Sequence, residues 1–269
     1  QQGLTESLAG RFESTFIPHW TYSEMKDAFG WGLDKYLWFG GYPGSEELTD
    51  DETRWKRYIK NSLIETSISK DILMLTRVNK PALLHKLFDI GCSYSAQILS
   101  LTKVQGDLME KGNLTTLSDY LALLDAAGLL CGLEKYAGDI IRKRASKPKF
   151  QVYNNALLSA QSEFTFDEIR DNAKEWGRIV ESAVGSHLLN KAKEGYFDLY
   201  YWNENSREVD YVLQKGSKVI AVEVKSGKDS SNEGMTLFDS KFHPLRLYTV
   251  GTDGIPLETF LTANPEELF

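Results

Sequence analysis

Cysteine is nearly absent: only Cys92 and Cys131 occur among 269 residues, and no CxxC spacing exists. A disulfide framework and a cysteine-rich zinc site are both excluded. The four histidines, His19, His85, His187 and His243, are scattered without an HxxH-type grouping. No apolar run approaches a transmembrane length and no signal peptide is visible, so the chain is expected to be soluble and cytoplasmic, with no membrane partner. Positive charge is also short: 31 Lys and Arg against 38 Asp and Glu give a net charge of −7. An overall field attracting nucleic acid is thereby excluded, and any DNA contact must be local. The GxxxxGK[ST] phosphate loop is missing. Ser226-Gly227-Lys228-Asp229 only imitates it, since Asp follows the Lys and no Gly lies five before Gly227. Phe164-Thr165-Phe166-Asp167-Glu168 imitates a magnesium-binding strand end but reads more simply as a helix cap. ATP hydrolysis is not expected of this chain alone.

What is there is ample core material, 42% apolar and 12% aromatic residues, in a length suited to two domains and a remnant of a third. The most informative stretch is Arg207 to Gly227. Two alternating apolar runs, Val209 to Leu213 and Val219 to Val224, flank Gln214-Lys215-Gly216-Ser217, a β-hairpin signal. Asp210 opens the first strand, and Glu223 and Lys225 close the second. Residues two apart on a strand share a face, so the Glu and Lys point together, with Asp210 across the hairpin. Two carboxylates this close repel unless a divalent cation or a lysine lies between them. Hard oxygen ligands with room for water suit Mg²⁺. Upstream, Asp167 to Glu194 predicts a helix with Ile169, Ala173, Trp176, Val180, Ala183, Val184 and Leu188 on its apolar side. Glu181 lies at the edge of that stripe.

An Asp at one strand, Glu-x-Lys on the next and a preceding helix carrying Glu resembles the PD-(D/E)xK nuclease pattern. With GRIVESAVGSHLL, YYWNENSREVDYVL and AVEVKSG, the chain resembles the C-terminal part of a large prokaryotic AAA+ ATPase family. That family joins a P-loop ATPase core, a winged helix and a restriction-endonuclease-like domain. The resemblance covers nearly the whole chain. It implies that Asp210, Glu223 and the carbonyl of Val224 hold Mg²⁺. It further implies that Lys225 orients or deprotonates the attacking water and that Glu181 serves a second ion or a metal-bound water. It also implies that Arg11, in the SLAGR segment, senses nucleotide phosphates, although a solvated arginine after a helix cap is the plainer reading. The chain begins at Gln1, which reads as a piece whose ATPase core lies upstream. ATP would then act only in the intact protein, with that core as a partner and oligomerisation open.

Three regions are expected. Residues 1–48 form the tail of the ATPase module, with a strand from Phe12 to Ile17, a short helix near Tyr22 to Met25 and a turn from Phe39 to Gly44. Residues 49–149 form a helical winged-helix domain: a long helix from Asp50 to Thr76, then helices at 82–91, 95–101 and 117–127, and a hairpin of 129–135 with 140–149. The outward residues of the third of these winged-helix helices, Ser118, Asp119, Ala122 and Asp125, include no base, which favours packing or protein contact over groove reading. The wing collects Arg142, Lys143, Arg144, Lys147 and Lys149, the DNA-binding candidates. Residues 150–269 form the nuclease-like domain. Its entry carries Asn154 and Ala156 where many relatives have Asp and Gly. It closes on a polar loop at 226–234, a helix at 236–242 and a strand at 245–250. The fold class is mixed α/β (α+β), a winged helix followed by a restriction-endonuclease-like mixed sheet flanked by helices.

Two functions follow. One is a Mg²⁺-dependent DNA phosphodiesterase; the other is a non-catalytic DNA- or protein-binding regulatory module of an ATPase. The acidic recognition-helix position and the confinement of positive charge to the wing favour the second; the complete acid and lysine set favours the first, and the balance leans to an enzyme ancestry.

Overall fold

The computed structural model describes residues 13, 15–74, 76–108, 113–137, 146–227 and 232–269. Helix α1 (Tyr22–Phe29) starts on a Thr21 capping box with Glu24 and stops at Gly30. Residues 15–17, within the strand expected from Phe12 to Ile17, carry no strand pairing. Helix α2 (Leu33–Phe39) and a 3₁₀ turn (Pro43–Leu48) lead to α3 (Glu52–Tyr58), capped by Asp51. The long helix expected to Thr76 continues past α3 with π-type turns at Ile59–Ile64 and Ser67–Leu73.

Helices α4 (Pro81–Ser93), α5 (Leu101–Asp107) and α6 (Leu114–Ala126) precede a two-stranded hairpin of β1 (Leu130–Leu133) and β2 (Lys149–Val152). Two expectations are corrected here. The helix expected at 95–101 begins instead at Leu101, because Ser100 accepts the Lys103 N–H as its cap. The residues before it run beside β2: the Ala96 N–H donates to the Phe150 carbonyl, and the Phe150 N–H to Gln97. The hairpin's second strand was expected at 140–149, but the register pairs Leu133 with Lys149 and Leu130 with Val152. The boundary expected between residues 149 and 150 therefore cuts through β2.

After α7 (Asn155–Ser159), the predicted helix over 167–194 is two helices, α8 (Phe166–Asp171) and α9 (Ala173–Lys193). Asn172 breaks it by taking extended backbone and accepting the Glu175 N–H, so it caps α9. The main sheet has the order β3 (Asp198–Glu204), β4 (Arg207–Lys215), β5 (Lys218–Lys225), β6 (Arg246–Gly251). Its first three strands are antiparallel and β6 joins β5 in parallel, across α10 (Glu233–Phe242). Gly216, at φ +61°, makes the expected turn of the β4–β5 hairpin. Strand β3 has no counterpart in the expectations.

One face of this sheet packs Tyr211, Leu213, Ile220 and Val222 against Val184, Leu188 and Leu189 of α9. The other packs Val209, Val212, Val219 and Ala221 against Met235 and Phe238 of α10. The fold class is as expected, mixed α/β with helices about a mixed four-stranded sheet. The small hairpin is tied to the main sheet by a bridge between Lys135 and Tyr201. Among the described residues, no helix is long and apolar enough to cross a membrane.

Candidate functional site

The register of β4 against β3 slips between Tyr200 and Trp202, so that Asp210 and Tyr211 together oppose Tyr201. An extra residue of this kind bends a strand and re-aims a side chain, and such bulges often lie beside functional sites. Here it carries Asp210 to the end of the β4–β5 ladder. The Val224 N–H donates to Asp210 Oδ2 at 2.7 Å. Carboxylate and backbone are thus locked together across the hairpin.

Period-two spacing sends Lys149 and Gln151 of β2 the same way, toward α9. Gln151 donates to the Ser182 carbonyl and accepts from the Tyr211 hydroxyl. Lys149 reaches further along the same helix. Its Nζ lies 2.8 Å from Glu181 Oε1, 3.0 Å from Glu208 Oε1 and 3.6 Å from Asp210 Oδ1. It also donates to the Asp210 carbonyl at 3.3 Å and stands 4.9 Å from the centre of the Tyr211 ring. The Lys149 side chain has 0% exposure, against 26% for Glu181, 39% for Glu208 and 14% for Asp210. An ammonium with three N–H donors is satisfied by this set.

Burial alone would lower the Lys149 pKa, but Glu181, Asp210, Tyr211 and Glu208 outweigh it and raise the value well above the usual. The amine stays charged. Burial raises Glu181 to about 7, against the pull of Lys149 and helped by Asp210. Burial, then Asp210, raises Glu223 to about 8, over the opposing pull of Lys149 and Lys225. The folded state thus favours the protonated Glu223 carboxyl, and its buried Oε2 has no hydrogen-bond partner among the described residues. Lys225 donates to Asn232 Oδ1 at the start of α10.

Glu181, Asp210, Glu223 and Lys225 thus meet at one end of the sheet. Two residues not assigned there from the sequence join them. Glu208 lies two before Asp210, the spacing that paired Glu223 with Lys225, and that signal could have found it. Lys149 was expected as a DNA contact on an exposed wing. It is fully buried and turned to the carboxylates, so the DNA-binding expectation for this residue is corrected. The signal was the Lys-x-Gln pattern on a strand whose other neighbours are apolar. Lys147 is exposed, and its carbonyl accepts the Tyr201 hydroxyl. Arg142, Lys143 and Arg144 lie outside the described residues, as does Arg11. Asn154, the departure from the family pattern, is a buried cap whose Oδ1 accepts the N–H groups of Ala156 and Gly41.

The donor set does not fit a divalent cation as arranged. Asp210 Oδ2 is engaged by backbone, and Glu181 and Glu208 point their oxygens at an ammonium. Among the described residues, no three of His, Cys, Asp and Glu are placed to hold a metal ion. A polar cavity of about 20 Å³ lies elsewhere, between Pro18–Thr21 and the last turns of α9. It is large enough for about one water. His187, which lines it, is buried with its Nε2 unpartnered among the described residues, and burial lowers its pKa to about 4.

Two family matches divide the chain. Residues 176–259 match a domain of unknown function (DUF4143) that is found in AAA-ATPase-associated proteins. Residues 30–168 match a second domain of unknown function (DUF8612). Neither a curated protein nor a solved structure matches the chain. The DUF8612 match spans just over half of the 269 residues and includes β2 with Lys149. On that span the chain belongs to the family described as a domain of unknown function, DUF8612.

Proposed function

We propose that this chain is the C-terminal portion of an AAA+-type ATPase in which a nuclease-like domain binds DNA without cutting it. The observation that carries the reading is the Lys149 ammonium held within 3.6 Å of Glu181, Glu208 and Asp210. In a metal-dependent nuclease, a divalent cation lowers the pKa of its water and neutralises phosphate charge. A buried lysine balances the same acids but activates no water. Affinity for DNA would come from the local basic run of Arg142, Lys143, Arg144 and the exposed Lys147, on a chain that is otherwise acidic.

One observation favours the nuclease reading instead. Glu223 Oε2 is buried beside Asp210 with no hydrogen-bond partner among the described residues, as a carboxylate awaiting a cation would be. Incubating the chain, and the ATPase-containing protein with ATP, with supercoiled and single-stranded DNA in Mg²⁺ or Mn²⁺ separates the two. No cleavage is expected from either. Cleavage that disappears in both Glu223→Ala and Lys225→Ala would establish the nuclease.

A further inference from the structure

We propose that Lys149 is a resident cation: its ammonium excludes divalent ions from the acid cluster, and removing it turns the cluster into a divalent-cation site. This rests on the non-catalytic reading above and goes beyond it by naming the residue that decides it.

The seat is built rather than incidental. Pairing of Leu133 with Lys149 fixes the lysine at the first position of β2, and the next face-mate, Gln151, is buried and bonded to α9. The side chain therefore has no solvent-facing alternative without breaking the strand. Its three N–H groups are met by Glu181 Oε1, Glu208 Oε1 and the Asp210 carbonyl, all between 2.8 and 3.3 Å. Those are ammonium distances. Mg²⁺ holds its oxygens at about 2.1 Å and tolerates little departure from an octahedron. An ammonium already seated among the acids repels a second cation by direct Coulomb interaction in a poorly solvated place.

Glu223 supplies a separate observation. Its Oε2 is shut off from solvent and has no hydrogen-bond partner among the described residues. The cluster has one more acceptor than its cation can use. With the ammonium gone, Asp210 and Glu223 would be left with hard oxygens and only Lys225 as counter-charge. A divalent ion supplies two charges where the lysine supplied one.

The test counts Mn²⁺ bound to the full chain by electron paramagnetic resonance and follows melting with and without Mn²⁺. The proteins are the native chain, Lys149→Gln, and Lys149→Gln with Glu208→Gln. The double change keeps the net charge and replaces an acid that is partly exposed, so it protects against simple misfolding. Both variants should bind one Mn²⁺, on the order of tenfold or more tighter than the native chain. Their melting points should rise with Mn²⁺ while the native one does not. Adding Asp210→Asn should abolish the gain. Equal binding by the native chain overturns the proposal. So does a folded double variant that binds none, or variants that stay unfolded when refolded with Mn²⁺. The cleavage assay on the native chain judges the non-catalytic reading separately. A native chain that cuts nothing, with variants that take no Mn²⁺, sinks only the proposal about Lys149.

Discussion

Lys149 Nζ and Glu181 Oε1 stand 2.8 Å apart across the join between the small hairpin and the helix beneath the main sheet. The lysine arrives from a strand that pairs with β1, and the glutamate from α9, 32 residues later. Their contact links the two regions matched to different families, and it sets what the acids beyond it can do.

Stability should depend on that contact. Lys149→Met leaves Glu181 and Asp210 partly buried and without their cation, a loss of roughly 3 kcal/mol. Glu208→Gln removes an acid that is 39% exposed and should cost no more than about 1 kcal/mol. Urea denaturation of the two variants beside the native chain measures both. Equal losses would mean that Lys149 is held by its strand and not by its charge.

Glu223 should make the fold less stable as pH rises. Its carboxyl is raised from 4.5 to about 8, so the folded state holds the proton more tightly than the unfolded one. That contribution is full below pH 4.5 and is lost as pH rises through 8. Glu223→Gln mimics the protonated form and should match the native chain near pH 4.5. By pH 9 it should be more stable, on the order of 2 kcal/mol, because neighbouring acids share the titration. Melting curves taken across this range give the difference directly. A difference that does not grow with pH contradicts the raised value.

DNA binding should separate the basic run from the buried lysine. Reversing Arg142, Lys143 and Arg144 to Glu should weaken binding and flatten the slope of log K against log salt by up to about 2.7. Lys149→Gln should leave the slope unchanged, since a lysine with 0% exposure meets no phosphate. Fluorescence anisotropy at several salt concentrations tests both. An unchanged slope in the triple reversal would make that run plain solvated surface.

Gly234 should be intolerant of any side chain. A Cβ there would lie 1.9 Å from the Glu208 carbonyl oxygen, so α10 would be pushed off β4. Gly234→Ala should cost roughly 1–3 kcal/mol or more, because the obstacle is backbone and cannot rotate away. Gly227→Ala, with nothing among the described residues within 4 Å of its Cβ, should fall within about 0.5 kcal/mol of native. Thermal denaturation of the pair provides the comparison.

Much of the architecture is local and was legible. The alternation in Val209 to Leu213 and Val219 to Val224 with Gly216 between them predicts the β4–β5 hairpin. The stripe through Val180, Val184 and Leu188 predicts α9, and Glu181, Asp210, Glu223 and Lys225 could be named because each sits on such an element. Boundaries set by single caps were less legible, as Ser100 and Asn172 show, since a polar side chain competes with helix continuation on equal terms. The partners of Lys149 were beyond reach for a different reason. In sequence it ends a basic run and looks like its neighbours. Its role exists only because the pairing of Leu133 with Lys149 and the slip opposite Tyr201 bring β2, α9 and β4 to one point. Charge composition determines how many acids and bases the chain carries. Only tertiary structure decides which acid a buried ammonium meets, because that pairing depends on register and burial rather than on distance along the chain.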